Sequence, residues 1–138
     1  MFVLAFDTAG SGFSIALLNE DKVVDKNVIS ESGKQSELLI LEIEKTLRSQ
    51  KIWYQDLDLI VATKGPGSFT GTRIGLTAAR TIKAATNLPL ILINSDEVKN
   101  FEIDQIGFVG LEKFRQGEVT QDLSAIYAQG PRISERKK

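Results

Sequence analysis

At 138 residues the chain is long enough for one domain with a real core, and its 42% hydrophobic and 25% charged residues are ordinary for a globular protein. A net charge of −1 argues against a general nucleic-acid binder, which would be basic overall. There is no cysteine and no histidine, which excludes disulfides and thiol chemistry and removes the commonest general base and transition-metal ligand. No apolar run approaches the ~20 residues that span a bilayer, and the N-terminus lacks the basic-then-apolar layout of a signal peptide. A cytoplasmic location with no membrane partner is therefore expected.

Phe2 to Phe6 is a short apolar run and reads as a buried strand. A polar small-residue turn, Asp7 to Gly12, leads to a second strand from Phe13 to Leu18. Asn19-Glu20-Asp21-Lys22 reads as a hairpin turn into a third strand, Val23 to Ile29. Residues 34–50 have helical period, with Leu39, Ile40, Ile43 and Leu47 on the natural core face. Leu38 and Leu41 fall nearly opposite, so this helix needs a second surface to pack on. That surface is either a later part of the same chain or a partner chain. Leu57 to Thr63 reads as a fourth strand, buried on both faces, and a second helix is expected over about 69–86. On it, Ile74, Ala78, Ile82 and Ala85 make a core face, while Gly71, Gly75 and Ala79 at a spacing of four permit close backbone approach. The other side carries Arg73, Leu76, Arg80 and Lys83, a basic stripe that reads as a solvated face or as a docking face for an acidic or RNA-bearing partner. Leu90 to Ile93 is a fifth strand. Ser95-Asp96-Glu97 caps a short helix through Phe101, and residues 103–116 form a last helix stopped by Gly117. The tail from Tyr127 is basic and extended. A three-strand meander followed by helix, strand, helix and strand fits an α/β fold with a mixed five-stranded sheet covered by helices.

The stretch that organises the chain is Lys64-Gly65-Pro66-Gly67-Ser68-Phe69-Thr70-Gly71-Thr72-Arg73-Ile74-Gly75-Leu76. It is a strand-to-helix turn in which Gly65 and Gly67 reach backbone angles closed to other residues, Pro66 stiffens the turn and Ser68 is placed as N-cap. Backbone N–H groups at the positive end of a helix suit a phosphate. No Gly-Lys-Ser/Thr ends the turn, so it is not a P-loop, and its third glycine is one residue late for the dinucleotide fingerprint. The competing reading is a tight turn that packs a glycine-faced helix closely.

The string GPGSFTGTRIG, followed by Leu76 to Pro89, closely resembles the signature of the TsaB (YeaZ) family, part of the bacterial machinery that makes threonylcarbamoyladenosine on tRNA. Gly65, Pro66, Gly67, Ser68, Phe69, Thr70, Gly71 and Arg73 are the matching turn. The opening Leu4-Ala5-Phe6-Asp7-Thr8 also matches, residues 1–98 follow the pattern throughout, and the likeness resumes from near Ile106 to Pro131. Between the two parts, roughly one domain's worth of the family's usual chain is absent. The resemblance implies a ribonuclease-H-like, actin-type ATPase lobe over 1–98, with 99–138 a C-terminal helix and basic tail remaining from a second lobe. Three positions depart from the family pattern. Gln35 stands where histidine commonly begins the first helix, Leu41 where a proline is common, and Gln129-Gly130 where the tail often has Arg-Pro.

Such a lobe raises three readings. A two-metal nuclease needs several converging carboxylates. Asp7 ends the first strand suitably and Glu42 or Glu44 lies on the first helix, but the fourth strand ends in Ala62-Thr63-Lys64, and Asp56 and Asp58 lie at its other end. An actin-like ATP-binding enzyme with autonomous phosphotransfer or hydrolase activity would use Asp7 and Thr8 as nucleotide contacts, although that fold binds nucleotide between two lobes. The favoured reading is a non-catalytic protein partner with no catalytic residues, no metal and no cofactor. As the resemblance implies, it binds a TsaD-like catalytic subunit, works with a TsaE-like ATPase, forms a homodimer in isolation and meets tRNA only indirectly. Its partner interface is expected to include Leu38, Leu41, Gly71, Gly75, Leu76 and Arg80 on the two helices.

Overall fold

The computed structural model describes residues 1–8, 12–29, 35–64, 69–97 and 102–120, apart from the side chains at 35–37, 69–71 and 95. The turn residues Gly65, Pro66, Gly67 and Ser68, the Phe101 end of the expected short helix, and the tail from Tyr127 lie outside the described residues.

Five strands form one mixed sheet: β1 (Phe2–Asp7), β2 (Phe13–Asn19), β3 (Lys22–Ile29), β4 (Leu57–Thr63) and β5 (Leu90–Ile93). Their order across the sheet is β3-β2-β1-β4-β5. The first three form the expected antiparallel meander, with a register shift between Leu17 and Leu18 that leaves Val24 of β3 unpaired. β4 then adds parallel to β1, and β5 parallel to β4. Parallel neighbours need a crossover, and α2 (Phe69–Thr86) is the one between β4 and β5. The crossover from β3 to β4 contains α1 (Gln35–Ser49) and a 3-10 turn, Tyr54–Asp56.

Both faces of the central strands are buried, which explains why their sequences are continuous apolar runs. Leu4, Phe6, Ile15, Leu17, Ile60 and Ala62 face α1 and α2, and meet Leu39, Ile43 and Leu47 of α1 and Leu76, Ala79 and Ile82 of α2. Val3, Ala5, Leu18, Leu59 and Val61 face the other way. That second face is covered by α3 (Ile103–Arg115), through Ile103, Ile106 and Leu111. Helix α3 falls in the segment 99–138 that the sequence reading set apart, yet it fills the back of the same sheet. It does so at close range. A Cβ on Gly110 would lie 2.5 and 2.6 Å from the two methyls of Val61, so the helix backbone sits where a larger residue would hold it off. Lys26 of β3 pins the start of α3 through Glu102 at 2.5 Å and Asp104 at 3.1 Å.

The helices stop where the chain takes left-handed angles. Lys51 (φ 60°) ends α1, Asn87 (φ 59°) ends α2 and Gly117 (φ 91°) ends α3. Ile52 N–H reaches back to Leu47 O at 3.1 Å and Glu118 N–H to Lys113 O at 3.0 Å, satisfying carbonyls that the helices leave open. Ser95–Glu97 is one 3-10 turn. Among the described residues no helix is long and apolar enough to cross a membrane.

Candidate functional site

Two regions carry the candidate residues. The first lies at the C-terminal ends of β1 and β4. These strands are parallel neighbours with Phe6 opposite Ala62, so the next residues, Asp7 and Thr63, come side by side although 56 positions apart. The Thr63 hydroxyl donates a hydrogen bond to the Asp7 carboxylate. Asp7 is 8% exposed, and Thr8 and Thr63 less. Helix α2 closes over this corner. A Cβ on Gly75 would lie 2.5 Å from Thr8 Oγ1, so only glycine lets the helix sit this close to the end of β1.

The sequence reading placed Asp7 and Thr8 here but passed over Thr63. The signal was present: once β1 and β4 are parallel neighbours, the last residue of one meets the last residue of the other. In this corner the Asp7 carboxylate has the Thr63 hydroxyl among its partners. Among the described residues no group of three or more His, Cys, Asp or Glu is placed to hold a metal ion. A valine at position 63 removes one of the donors to the buried Asp7 carboxylate. Thr63→Val is therefore expected to cost about 1–3 kcal/mol, measured by urea denaturation, whereas Thr63→Ser should be nearly neutral.

The second region is the outer face of α1 and α2. Leu41 is 59% exposed, the large apolar residue that α1 turns to solvent. Leu38 differs: it packs half-buried at the rim of the core. On α2 the buried residues are Gly75, Leu76, Ala78, Ala79 and Ile82, so the core face is rotated by roughly one residue step from the Ile74–Ala85 face expected from periodicity. Two placements change as a result. Leu76, expected at the centre of the basic stripe, is 2% exposed and belongs to the core, and Ala85 is exposed. The close approach expected of Gly75 is made to Thr8 of its own chain. The cause is size: Gly75, having no Cβ, lets the helix sit against Thr8 at the end of β1. The exposed stripe of α2 is Arg73, Thr77 and Arg80, and that of α1 is Leu41, Lys45 and Arg48. Gly71 and the signature residues Phe69 and Thr70 begin α2, with side chains outside the described set.

At the far end of α1, Arg48 lies over the Trp53 ring, 5.6 Å from its centroid. The Tyr54 hydroxyl donates to Glu44 at 3.1 Å. Burial, and then the Glu44 charge, push the Tyr54 phenol above its ordinary pKa.

The sheet order, with an antiparallel meander continued by two parallel crossovers and helices on both faces, is that of a ribonuclease-H-like, actin-type lobe. Comparison with known proteins agrees. A family model described as TsaD, tRNA N6-adenosine threonylcarbamoyltransferase, matches residues 29–102, the part that holds α1, β4, α2 and β5. The tRNA threonylcarbamoyladenosine biosynthesis protein TsaB of Bacillus subtilis is 36% identical over 97 residues, covering 70% of this chain and 42% of that protein. The tRNA N6-adenosine threonylcarbamoyltransferase of the same organism is 30% identical over 107 residues, covering 66% of this chain and 31% of that protein. Among solved structures, YeaZ from Pseudomonas aeruginosa superposes with a TM-score of 0.62 at 25% identity, covering 68% of this chain and 44% of that one. The chain belongs to the family this model describes and carries the TsaB (YeaZ) pattern within it. It spans less than half the length of the curated relatives it matches.

Proposed function

We propose that this protein is a non-catalytic partner in the making of threonylcarbamoyladenosine on tRNA, acting in the cytoplasm by binding a TsaD-like catalytic subunit. The observation that carries the reading is the likeness to relatives named for this biosynthesis, on a lobe whose β1 and β4 ends are joined by the Thr63–Asp7 hydrogen bond. A chain with no histidine and no cysteine supports positioning and docking better than it supports group transfer. The docking surface is the outer face of α1 and α2, with Leu41 of α1 as apolar anchor and Arg73 and Arg80 exposed on α2. In isolation the same face pairs two copies of the chain. A TsaE-like ATPase joins the assembly, and tRNA is met through the catalytic subunit.

The test is co-purification with a TsaD-type subunit, followed by tRNA modification assayed with each component omitted. Modification that falls when this chain is left out, together with no ATP turnover by the chain alone, is the expected result. ATP turnover that stays with the purified protein and disappears in Asp7→Ala would favour the second reading, an actin-type ATP-binding enzyme. The burial of Asp7 and Thr8 at the end of β1 is the observation on that side.

A further inference from the structure

The outer face of α1 and α2 carries charge of one sign. Among the described side chains of these helices, the exposed charged residues are Lys45 and Arg48 of α1 and Arg73 and Arg80 of α2. The carboxylates of α1, Glu42 and Glu44, are half-buried, and Glu44 accepts from the Tyr54 hydroxyl. Leu41, Lys45 and Arg48 stand at helical spacing, so they form one line with the exposed leucine at its end. The Trp53 ring steadies Arg48 in that line. A guanidinium stacked on an indole keeps its charge and its in-plane N–H donors. The α3 side of the molecule differs. There Lys26 pairs with Glu102 and Asp104, Lys113 with Glu97 and Glu118, and Arg115 with Glu20 and Asp21. Among the described residues no ion pair engages Lys45 or Arg48. Arg73 and Arg80 have partners within the chain and are still exposed, so the uncompensated charge of the face is that of Lys45 and Arg48.

We propose that Lys45 and Arg48 make this face selective: it takes an acidic protein partner, whose carboxylates ring the apolar pocket for Leu41, in preference to a second copy of this chain. This rests on the docking role of α1 and α2 proposed above. A two-fold pair of copies joins one patch to itself. Leu41 would be buried in such a pair, but Lys45 and Arg48 would meet a face whose exposed charges are all cations. Like charges brought together across an interface penalise the wrong partner. A partner with carboxylates at those positions gains instead, in encounter rate and in the pairs formed. The leucine distinguishes this face from a phosphate-binding one. Recognition of a nucleic-acid backbone is electrostatic and has no use for an exposed apolar anchor, whereas a protein interface is built around one.

Salt tests the proposal, because screening weakens attraction and repulsion alike and so moves the two kinds of pairing in opposite directions. Between about 0.05 M and about 0.5 M sodium chloride, binding to a TsaD-like subunit should weaken about tenfold. Over the same range the dimer mass of the chain alone, read by light scattering, should rise. Lys45→Gln combined with Arg48→Gln should weaken partner binding at low salt by a similar factor, flatten its salt dependence and raise the self-paired fraction. If the emission of Trp53, the chain's one tryptophan, shows that the loop has moved without Arg48, Lys45→Gln alone should give the same signs at smaller amplitude. Leu41→Asp separates selectivity from docking. Partner binding that Leu41→Asp removes, but that salt and the glutamine changes leave alone, overturns the selectivity and leaves the docking face standing. Partner binding that survives Leu41→Asp overturns both. Self-pairing that weakens with salt would also overturn the selectivity. So would tRNA held by the chain alone and released by the glutamine changes, since the cations would then be reading phosphate.

Discussion

Gly75→Leu is expected to destabilise the fold by about 1–3 kcal/mol, seen as a fall of several degrees in thermal midpoint. Even the first side-chain carbon at this position would lie 2.5 Å from Thr8 Oγ1, and Thr8 is fixed at the end of a central strand. Helix α2 would have to lift from β1, and the contacts of Leu76 and Ala79 with the sheet would open together. A double-mutant cycle identifies the contact. Gly75→Ala should cost less in a Thr8→Ala background than in the unaltered chain, because the colliding hydroxyl is gone and the Thr8 Cβ sits at an ordinary 3.7 Å. If the two changes are simply additive, Thr8 does not limit how closely α2 packs, and the glycine is needed for another reason.

Leu41→Asp should leave the fold intact and remove the proposed partner. The residue is 59% exposed, so its loss from the free protein costs little, whereas buried apolar anchors carry most of the affinity at an interface. Binding to a TsaD-like subunit, or pairing of two copies, is expected to weaken by about 2 kcal/mol or more, roughly thirtyfold. Pull-down and light scattering on the folded variant read this directly. Leu38→Asp is a poorer probe, because Leu38 packs at the rim of the core and an aspartate there would disturb folding as well. Arg80→Glu should act differently again, slowing association and changing its salt dependence more than it changes stability. A Leu41→Asp protein that binds its partner normally would place the interface elsewhere.

The separation between Leu38 and Leu41 shows where sequence reasoning reached its limit. Periodicity alone put both on a second apolar face of α1. Which of them is covered depends on how α1 lies over β2 and beside α2, and that is a property of the packed layers. The same holds for α2. Its 18-residue span was legible from start to finish, because helical period, a glycine turn and a strand on each side all agree. Its rotation was not. The apolar positions Ile74, Ala78, Ile82 and Ala85 define a plausible stripe, yet the glycine at 75 wins, since it allows the closer approach to the end of β1.

What the residues determined by themselves was the order and nature of the elements. Continuous apolar runs became strands buried on both faces, short polar turns between the first three made them antiparallel, and intervening helices made the last two parallel. The signature after β4 was sufficient to indicate the family, because an eleven-residue pattern at a strand-to-helix turn is specific in a way that glycine alone is not. Tertiary structure decided everything that depends on elements far apart in the chain. It set Thr63 beside Asp7, seated α3 on the back of the sheet through Gly110 and Val61, and brought Thr120 to the edge of β5. Each of these is a contact between side chains or backbone groups whose separation is fixed only when the layers close. Local propensity describes a residue's own turn or strand; it has no knowledge of which neighbour the sheet will bring to it.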